Sequence, residues 1–228
     1  MREAKAKGDK LVEDYLNAFS GLKKWLEDTK KFARENGYVK SLFGFYRRLP
    51  MIHSSNHTFR AGAERQAINA PIQGSGSTCT LLAIVDIQNE LKKRNLKSCL
   101  VATVHDSLVV DCYIPELAEV SKIVIEGMEN AHKHRIDTPI PVAADMELGE
   151  SYGKVFECSL EEASAIHTRE DFQHWVHGQY VKKYSKEVDT LKKDGLSQDE
   201  IREWLIAHKR NEQDYPEVFE YLNGVFSK

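Results

Sequence analysis

Cysteine is scarce in this 228-residue chain. Cys79, Cys99, Cys112 and Cys158 are scattered, and no two of them form a Cys-x-x-Cys pair. That spacing argues against a zinc site and a disulfide scaffold, and it points to a reducing cytoplasm. Long apolar runs are missing too: no stretch approaches the ~18 uninterrupted apolar residues of a membrane span, so no membrane partner is expected. Met1-Arg2-Glu3-Ala4-Lys5 mixes charges and has no apolar h-region, unlike a signal peptide. There is no surplus of positive charge. Lys and Arg total 32 against 35 Asp and Glu, a net charge of −3, so bulk charge does not announce a nucleic-acid partner. Internal repeats and low-complexity segments are absent as well.

What is present is ordinary globular material. Hydrophobic residues make up 41% and charged residues 29%, enough apolar matter for a core. The length suits one domain, or one domain with a smaller appendage. Charge is uneven: Lys40, Arg47, Arg48, Arg60 and Arg65 lie close in sequence, while acids concentrate after Asp145. Clustered cations suit phosphates, and ordinary solvated surface charge is an equally good reading of the cluster alone.

Apolar spacing predicts helix from Ala4 to Asn36, with Leu11, Tyr15, Phe19, Leu22, Trp25 and Leu26 in one stripe, a break at Ser20-Gly21 and Gly37 as C-cap. A basic β-hairpin follows, from Tyr38–Leu42 and Tyr46–Pro50 around Phe43-Gly44. Residues 55–94 read as helix again, with a kink or two helices meeting at Ala70-Pro71. Ser98–Val104 and Leu108–Tyr113 are β-branched runs flanking the polar triplet His105-Asp106-Ser107, which reads as a tight turn between buried strands. Pro115 opens a helix whose Glu116 and Glu119 suit the positive end of its dipole. Pro141–Leu148 reads as a third strand. From Ser159 onward the chain is polar and helical, with breaks at Asp194-Gly195 and Tyr215-Pro216 and a capping box at Ser197–Glu200. The expected fold is α+β: a short antiparallel sheet of about three strands backed by long helices, with a C-terminal helical extension. The expected domains are 1–36, 37–158 and 159–228.

Two features carry chemistry. An aspartate in a tight turn is held with its carboxylate aimed at one point, and hard carboxylate oxygens suit Mg²⁺. Nucleotidyl transfer uses such carboxylates to hold paired ions roughly 3.5–4 Å apart. A turn aspartate is, however, more often just a turn former. The second feature is stronger. Arg65, Asn69 and Gln73 sit at four-residue steps and share one helix face, with Arg60 and Glu64 close by. Arginine can clamp phosphate, while Asn and Gln amides suit the acceptors that every base pair shows in the minor groove. Such a face checks duplex shape without reading sequence. A solvated polar face, partly buried between Ile68, Ala70, Pro71 and Ile72, is the plainer alternative.

Several strings occur in one order: Gly37-Tyr38-Val39, Arg47-Arg48-Leu49-Pro50, Ser54-Ser55-Asn56, the run Ala63 to Gly74, and Val104-His105-Asp106-Ser107-Leu108-Val109. Together they closely resemble the C-terminal part of family A DNA polymerases, the group of bacterial DNA polymerase I and many phage replicases. The likeness runs from about Lys5 to Tyr152, with the tail from Ser159 outside it. The resemblance implies roles residue by residue. Asp106 would be a ligand of catalytic Mg²⁺ in the palm and His105 would contact the primer-terminal backbone. Arg65, Asn69 and Gln73 would lie along the primer–template minor groove, with Arg47, Arg48 and Arg60 as further DNA contacts. Residues 4–36 would be the end of the fingers.

Departures from the family pattern limit this. Ser107 stands where many members carry Glu, and a neutral hydroxyl adds no charge. Gly44-Phe45-Tyr46-Arg47-Arg48 replaces the usual Gly-Arg-Arg turn. The strand with the other catalytic aspartate and the dNTP-binding helix have no counterpart in these 228 residues. The expected function is therefore the C-terminal portion of a split or interrupted family A DNA polymerase. Its partners would be primer–template DNA, dNTP and an N-terminal polymerase chain, in the cytoplasm, the host's if the gene is a phage's. A non-catalytic DNA-binding remnant and a truncated piece of a longer polymerase are the alternatives.

Overall fold

The computed structural model describes residues 2–227. Elements follow in the order α1 (Arg2–Ala18), α2 (Ser20–Asn36), β1 (Tyr38–Lys40), β2 (Tyr46–Arg48), α3 (His57–Lys93), β3 (Cys99–Val104), β4 (Ser107–Asp111), α4 (Leu117–Asn130), β5 (Glu147–Ser151), β6 (Lys154–Glu157), α5 (Leu160–Ser164), α6 (Arg169–Lys193), α7 (Gln198–Ala207) and α8 (Pro216–Phe226). The fold is α+β, with short antiparallel strand pairs among long helices. No helix among the described residues is long and apolar enough to cross a membrane.

The chain divides into two compact units. One comprises residues up to Glu90, Leu100–Val109 and Glu126–Ala143. Its core is small and local. α2 stops where Gly37 takes a left-handed φ of 77° and donates its N–H to the Ala33 carbonyl at 2.8 Å, the conformation glycine adopts at least cost. The turn starts β1, which pairs with β2 in the register Tyr38↔Arg48, Val39↔Arg47, Lys40↔Tyr46. Ala33, Val39, Leu49, Ile52, Ala63 and Ala67 then bury together, joining α2 and the hairpin to the first turns of α3. Tyr38 packs against Tyr46 and Phe32 at 4.9 and 5.6 Å between ring centres.

α3 runs unbroken for 37 residues with Pro71 inside it. Two helices meeting at Ala70-Pro71 are not found. The missing proline N–H and the crowding of its ring cost about 3 kcal/mol in a helix interior, and burial along the helix outweighs that. The Ser75 hydroxyl donates to the Pro71 carbonyl at 2.6 Å, and Thr78 to Gly74 at 2.7 Å.

The buried side of this helix changes over along its length. Eighteen residues make about five full turns, so positions eighteen apart share one side. Ala63 and Ala67 are buried, whereas Leu81 and Val85, eighteen residues on, are 58% and 56% exposed. Conversely Arg65, Asn69 and Gln73 are exposed, and their counterparts Ala83, Ile87 and Leu91 are buried.

The second unit comprises Leu91–Cys99, Val110–Ile125 and the residues from Ala144 on. Leu117, Cys158, Ala163 and Ile166 form one core with Met146, Leu148, Phe172 and Trp175 against it. Val188, Ile201, Leu205, Val218, Phe219 and Leu222 form another, in which α6, α7 and α8 pack together. Capping boxes start α5 at Ser159, α6 at Thr168 and α7 at Ser197, the last as the sequence predicts. The breaks at Asp194-Gly195 and Tyr215-Pro216 also occur where expected.

Two expectations about strands need correction. The third strand is Glu147–Ser151 rather than Pro141–Leu148, and it joins no three-stranded sheet: the strands form three separate pairs. The Tyr152-Gly153 turn lets β5 fold straight back on β6, with Ser151 opposite Lys154. Closing so short a loop costs little entropy, whereas Pro141 offers no N–H to a ladder. Nor are β3 and β4 buried strands: Val101 and Val104 are 56% and 39% exposed, and Leu108, Val109 and Val110 are only half-buried. Too few other elements cover this hairpin among the described residues.

Candidate nucleic-acid interface

The β3–β4 hairpin places His105 and Asp106 alone in a two-residue turn. His105 has φ 57°, a left-handed conformation that costs a non-glycine residue roughly 1–2 kcal/mol. Two side chains hold the turn. The Ser107 hydroxyl donates to the Val104 carbonyl at 2.9 Å, and the Thr103 hydroxyl donates to the Ser107 carbonyl at 3.1 Å. Asp106 and His105 are exposed and take no hydrogen bond or ion pair among the described residues.

The root of the hairpin is tied as firmly. Glu116 accepts from the Lys97 and Ser98 amides at 3.0 and 2.9 Å and from the Ser98 hydroxyl at 2.8 Å. The Tyr113 N–H donates to that same Ser98 oxygen at 2.9 Å. The Lys97 amide, ahead of the Ser98 donors, holds the Glu116 carboxyl below the usual carboxylate range. The sequence reading assigned Glu116 only to the dipole of the following helix. Its reach back to the residues before β3 has no sequence signature, because the contact spans 18 or 19 positions.

On α3, Arg65, Asn69 and Gln73 share one exposed face, and none has a side-chain partner among the described residues. Ile72 beside them is 59% exposed, whereas Ile68, Ala70 and Pro71 are half-buried. Glu64 turns away to meet Arg34 of α2 at 2.6 Å, and that hydrogen bond lowers its pKa. Arg60 is partly engaged: it donates to the Ser54 carbonyl at 3.0 Å, bracing the loop before α3. Arg47 and Arg48 are both exposed on β2. As consecutive strand residues they point to opposite faces, so Arg47 shares its face with Val39 and Arg48 with Tyr38. The structure thus gathers Arg65, Asn69 and Gln73 on one surface and separates the two hairpin arginines.

The family model for DNA polymerase family A matches residues 2–154. The chain belongs to DNA polymerase family A. It is 36% identical over 190 residues to a DNA polymerase of Bacillus phage SP01, covering 82% of this chain and 20% of that protein. DNA polymerase I of Bacillus subtilis is 35% identical over 141 residues, covering 62% of this chain and 16% of that one. Among solved structures, the POL domain of Pol1 from M. smegmatis, in complex with DNA primer-template and dNTP, matches with a TM-score of 0.53 and 35% identity. That match covers 57% of this chain and 22% of the other. This family A chain therefore spans about a fifth of the length of the relatives it matches.

The family model ends at residue 154, close to the expected limit at Tyr152, but the likeness to the phage protein goes further. Its 190 residues exceed the 158 that precede Ser159, so the likeness runs into α5 and α6. The tail is too polar and too short of recognisable strings to have carried that signal by itself.

Family A polymerases use divalent metal, so the donor set must be tested against it. Among the described residues no group of three or more His, Cys, Asp or Glu is arranged to hold an ion. Asp106 offers one hard, unpartnered carboxylate. Mg²⁺ tolerates a site of one or two carboxylates completed by water and phosphate oxygens, but the paired-ion arrangement needs more carboxylates than the described residues bring together.

Proposed function

We propose that this chain is the C-terminal portion of a split or interrupted family A DNA polymerase. In this reading it contributes one Mg²⁺-binding aspartate and the primer–template contacts, and a complementary N-terminal segment supplies the other aspartate and the dNTP-binding helix. The observation that carries the reading is the hairpin tip: Asp106 is unpartnered and exposed on a turn braced at tip and root. The free face of Arg65, Asn69 and Gln73 agrees with it, because hydrogen-bonding groups left without protein partners suit an external ligand.

Exposed apolar surface supports the need for a complementary segment. Leu11, Tyr15, Phe19 and Leu22 on α1 and α2, Leu81 and Val85 on α3, and Val101 on β3 all face solvent. Apolar patches of this kind mark interaction surfaces.

Within the proposal His105 contacts the primer-terminal backbone, and Arg47, Arg48 and Arg60 add phosphate contacts. Residues 1–36 close the fingers, 37–158 build the palm portion, and 159–228 form a helical extension. The compartment is the cytoplasm, the host's for a phage gene.

Asp106→Ala provides the test in the reconstituted protein. Template-dependent dNTP incorporation falls below about a hundredth of the wild-type rate, while duplex binding measured by fluorescence anisotropy stays nearly unchanged. Incorporation that survives the substitution contradicts the catalytic reading. Duplex binding without incorporation in the wild-type protein itself supports a DNA-binding remnant instead.

A further inference from the structure

We infer that Ser107 and Thr103 are positioning residues for Asp106: their hydroxyls form a clamp that fixes the turn backbone from which its side chain projects. The inference rests on the proposed function and deepens it at one point. A two-residue turn with a left-handed histidine is strained, and the hairpin around it is largely exposed, so packing does not immobilise it. Something local must. The Ser107 hydroxyl crosses the turn to the Val104 carbonyl at 2.9 Å. The Thr103 hydroxyl reaches the Ser107 carbonyl at 3.1 Å. Together they bracket His105 and Asp106 from both strands, and both donors come from neutral groups.

The chemistry explains why a hydroxyl suits position 107. A carboxylate accepts hydrogen bonds and does not donate them, so it could not make the bond to the Val104 carbonyl. Serine gives up charge at the tip and gains a brace. In a reaction governed by the placement of an oxygen ligand, a displacement of about 1 Å costs about a hundredfold in rate.

The test compares Ser107→Ala, Ser107→Thr and Thr103→Val in the reconstituted polymerase, with nuclear magnetic resonance of the full chain alone. S107A should lower kcat about tenfold or more with the KM for dNTP little changed. S107T, which keeps the hydroxyl, should stay within about threefold of wild type. T103V should fall between them. In the chain alone, S107A should replace the single set of Asp106 signals with broadened or multiple signals and erase the left-handed signature of His105, while the melting temperature is unchanged.

An active wild type whose S107A variant keeps its kcat overturns the clamp. So does S107T as slow as S107A, or Asp106 signals unaffected by S107A. A wild type that incorporates nothing in any mixture overturns the polymerase reading, and with it the clamp's catalytic meaning.

Discussion

His105 shows how much one backbone angle decides. At φ 57° an imidazole-bearing residue sits where glycine would sit without strain. His105→Gly should therefore leave the chain's stability to urea within about 1 kcal/mol. His105→Val, whose β-branch clashes in that region, should cost about 1–2 kcal/mol. A glycine variant that loses incorporation while keeping its fold would assign the histidine to chemistry rather than to the turn. Glu116 makes a second prediction at this scale. Its folded pKa lies below the ordinary value of 4.5, so its contribution to stability is complete above that value and is lost as pH falls through the folded pKa. Acid titration of urea stability should show this loss in wild type and not in Glu116→Gln. Equal pH slopes in the two proteins would remove Glu116 from the account of the hairpin root.

Among the elements, α3 was legible in part. Its length and the spacing of Arg65, Asn69 and Gln73 were readable, because four-residue steps define a face in any helix. The exchange of buried sides between Ala67 and Ala83 was not, since a helix buried on opposite sides along its length shows no single apolar stripe. Of the two outcomes Pro71 suggests, the break into two helices is the one that does not occur: local propensity argues for it, and burial overrides it. The strand pairing of β5 with β6 was missed because Lys154–Glu157 is only four residues long, too short for Val155 and Phe156 to show an alternating pattern, and its partner is set by the turn. Long-range contacts such as Glu116 to Lys97 leave no periodic trace, whereas helix caps such as Ser197 with Glu200 are written in adjacent residues. The C-terminal half of α3 offers its own test. A Cβ placed on Gly127 of α4 would overlap Ile87 Cγ1, and Ile87 is fully buried. Gly→Ala in a helix ordinarily stabilises by about 1 kcal/mol, but overpacking of this kind costs about 1–3 kcal/mol. Gly127→Ala should thus be destabilising in urea denaturation, and Ile87→Ala in the same chain should recover part of the loss. Additive effects of the two substitutions would show that the two side chains do not meet.

At the scale of the whole molecule, what the chain leaves uncovered is the main finding. It belongs to a polymerase family yet spans about a fifth of its relatives. It exposes Leu11, Tyr15, Phe19, Leu81 and Val85, apolar surface of the kind that marks an interaction face. The family was legible from a few ordered strings between Gly37 and Val109. The proposal of a complementary segment came from the family elements that those strings did not include. In the tail the helices, their breaks and the Ser197 cap were legible, whereas its cores around Val188 and Ala163 emerged only with the structure. The central claim is that Asp106 works only when a second segment supplies the rest of the site. The most direct measurement is template-dependent dNTP incorporation with Mg²⁺ by this chain alone, by a segment carrying the preceding polymerase elements alone, and by the two mixed. The account expects no incorporation from either part and incorporation from the mixture that vanishes with Asp106→Ala. Incorporation by this chain alone, or none from the mixture, would contradict it.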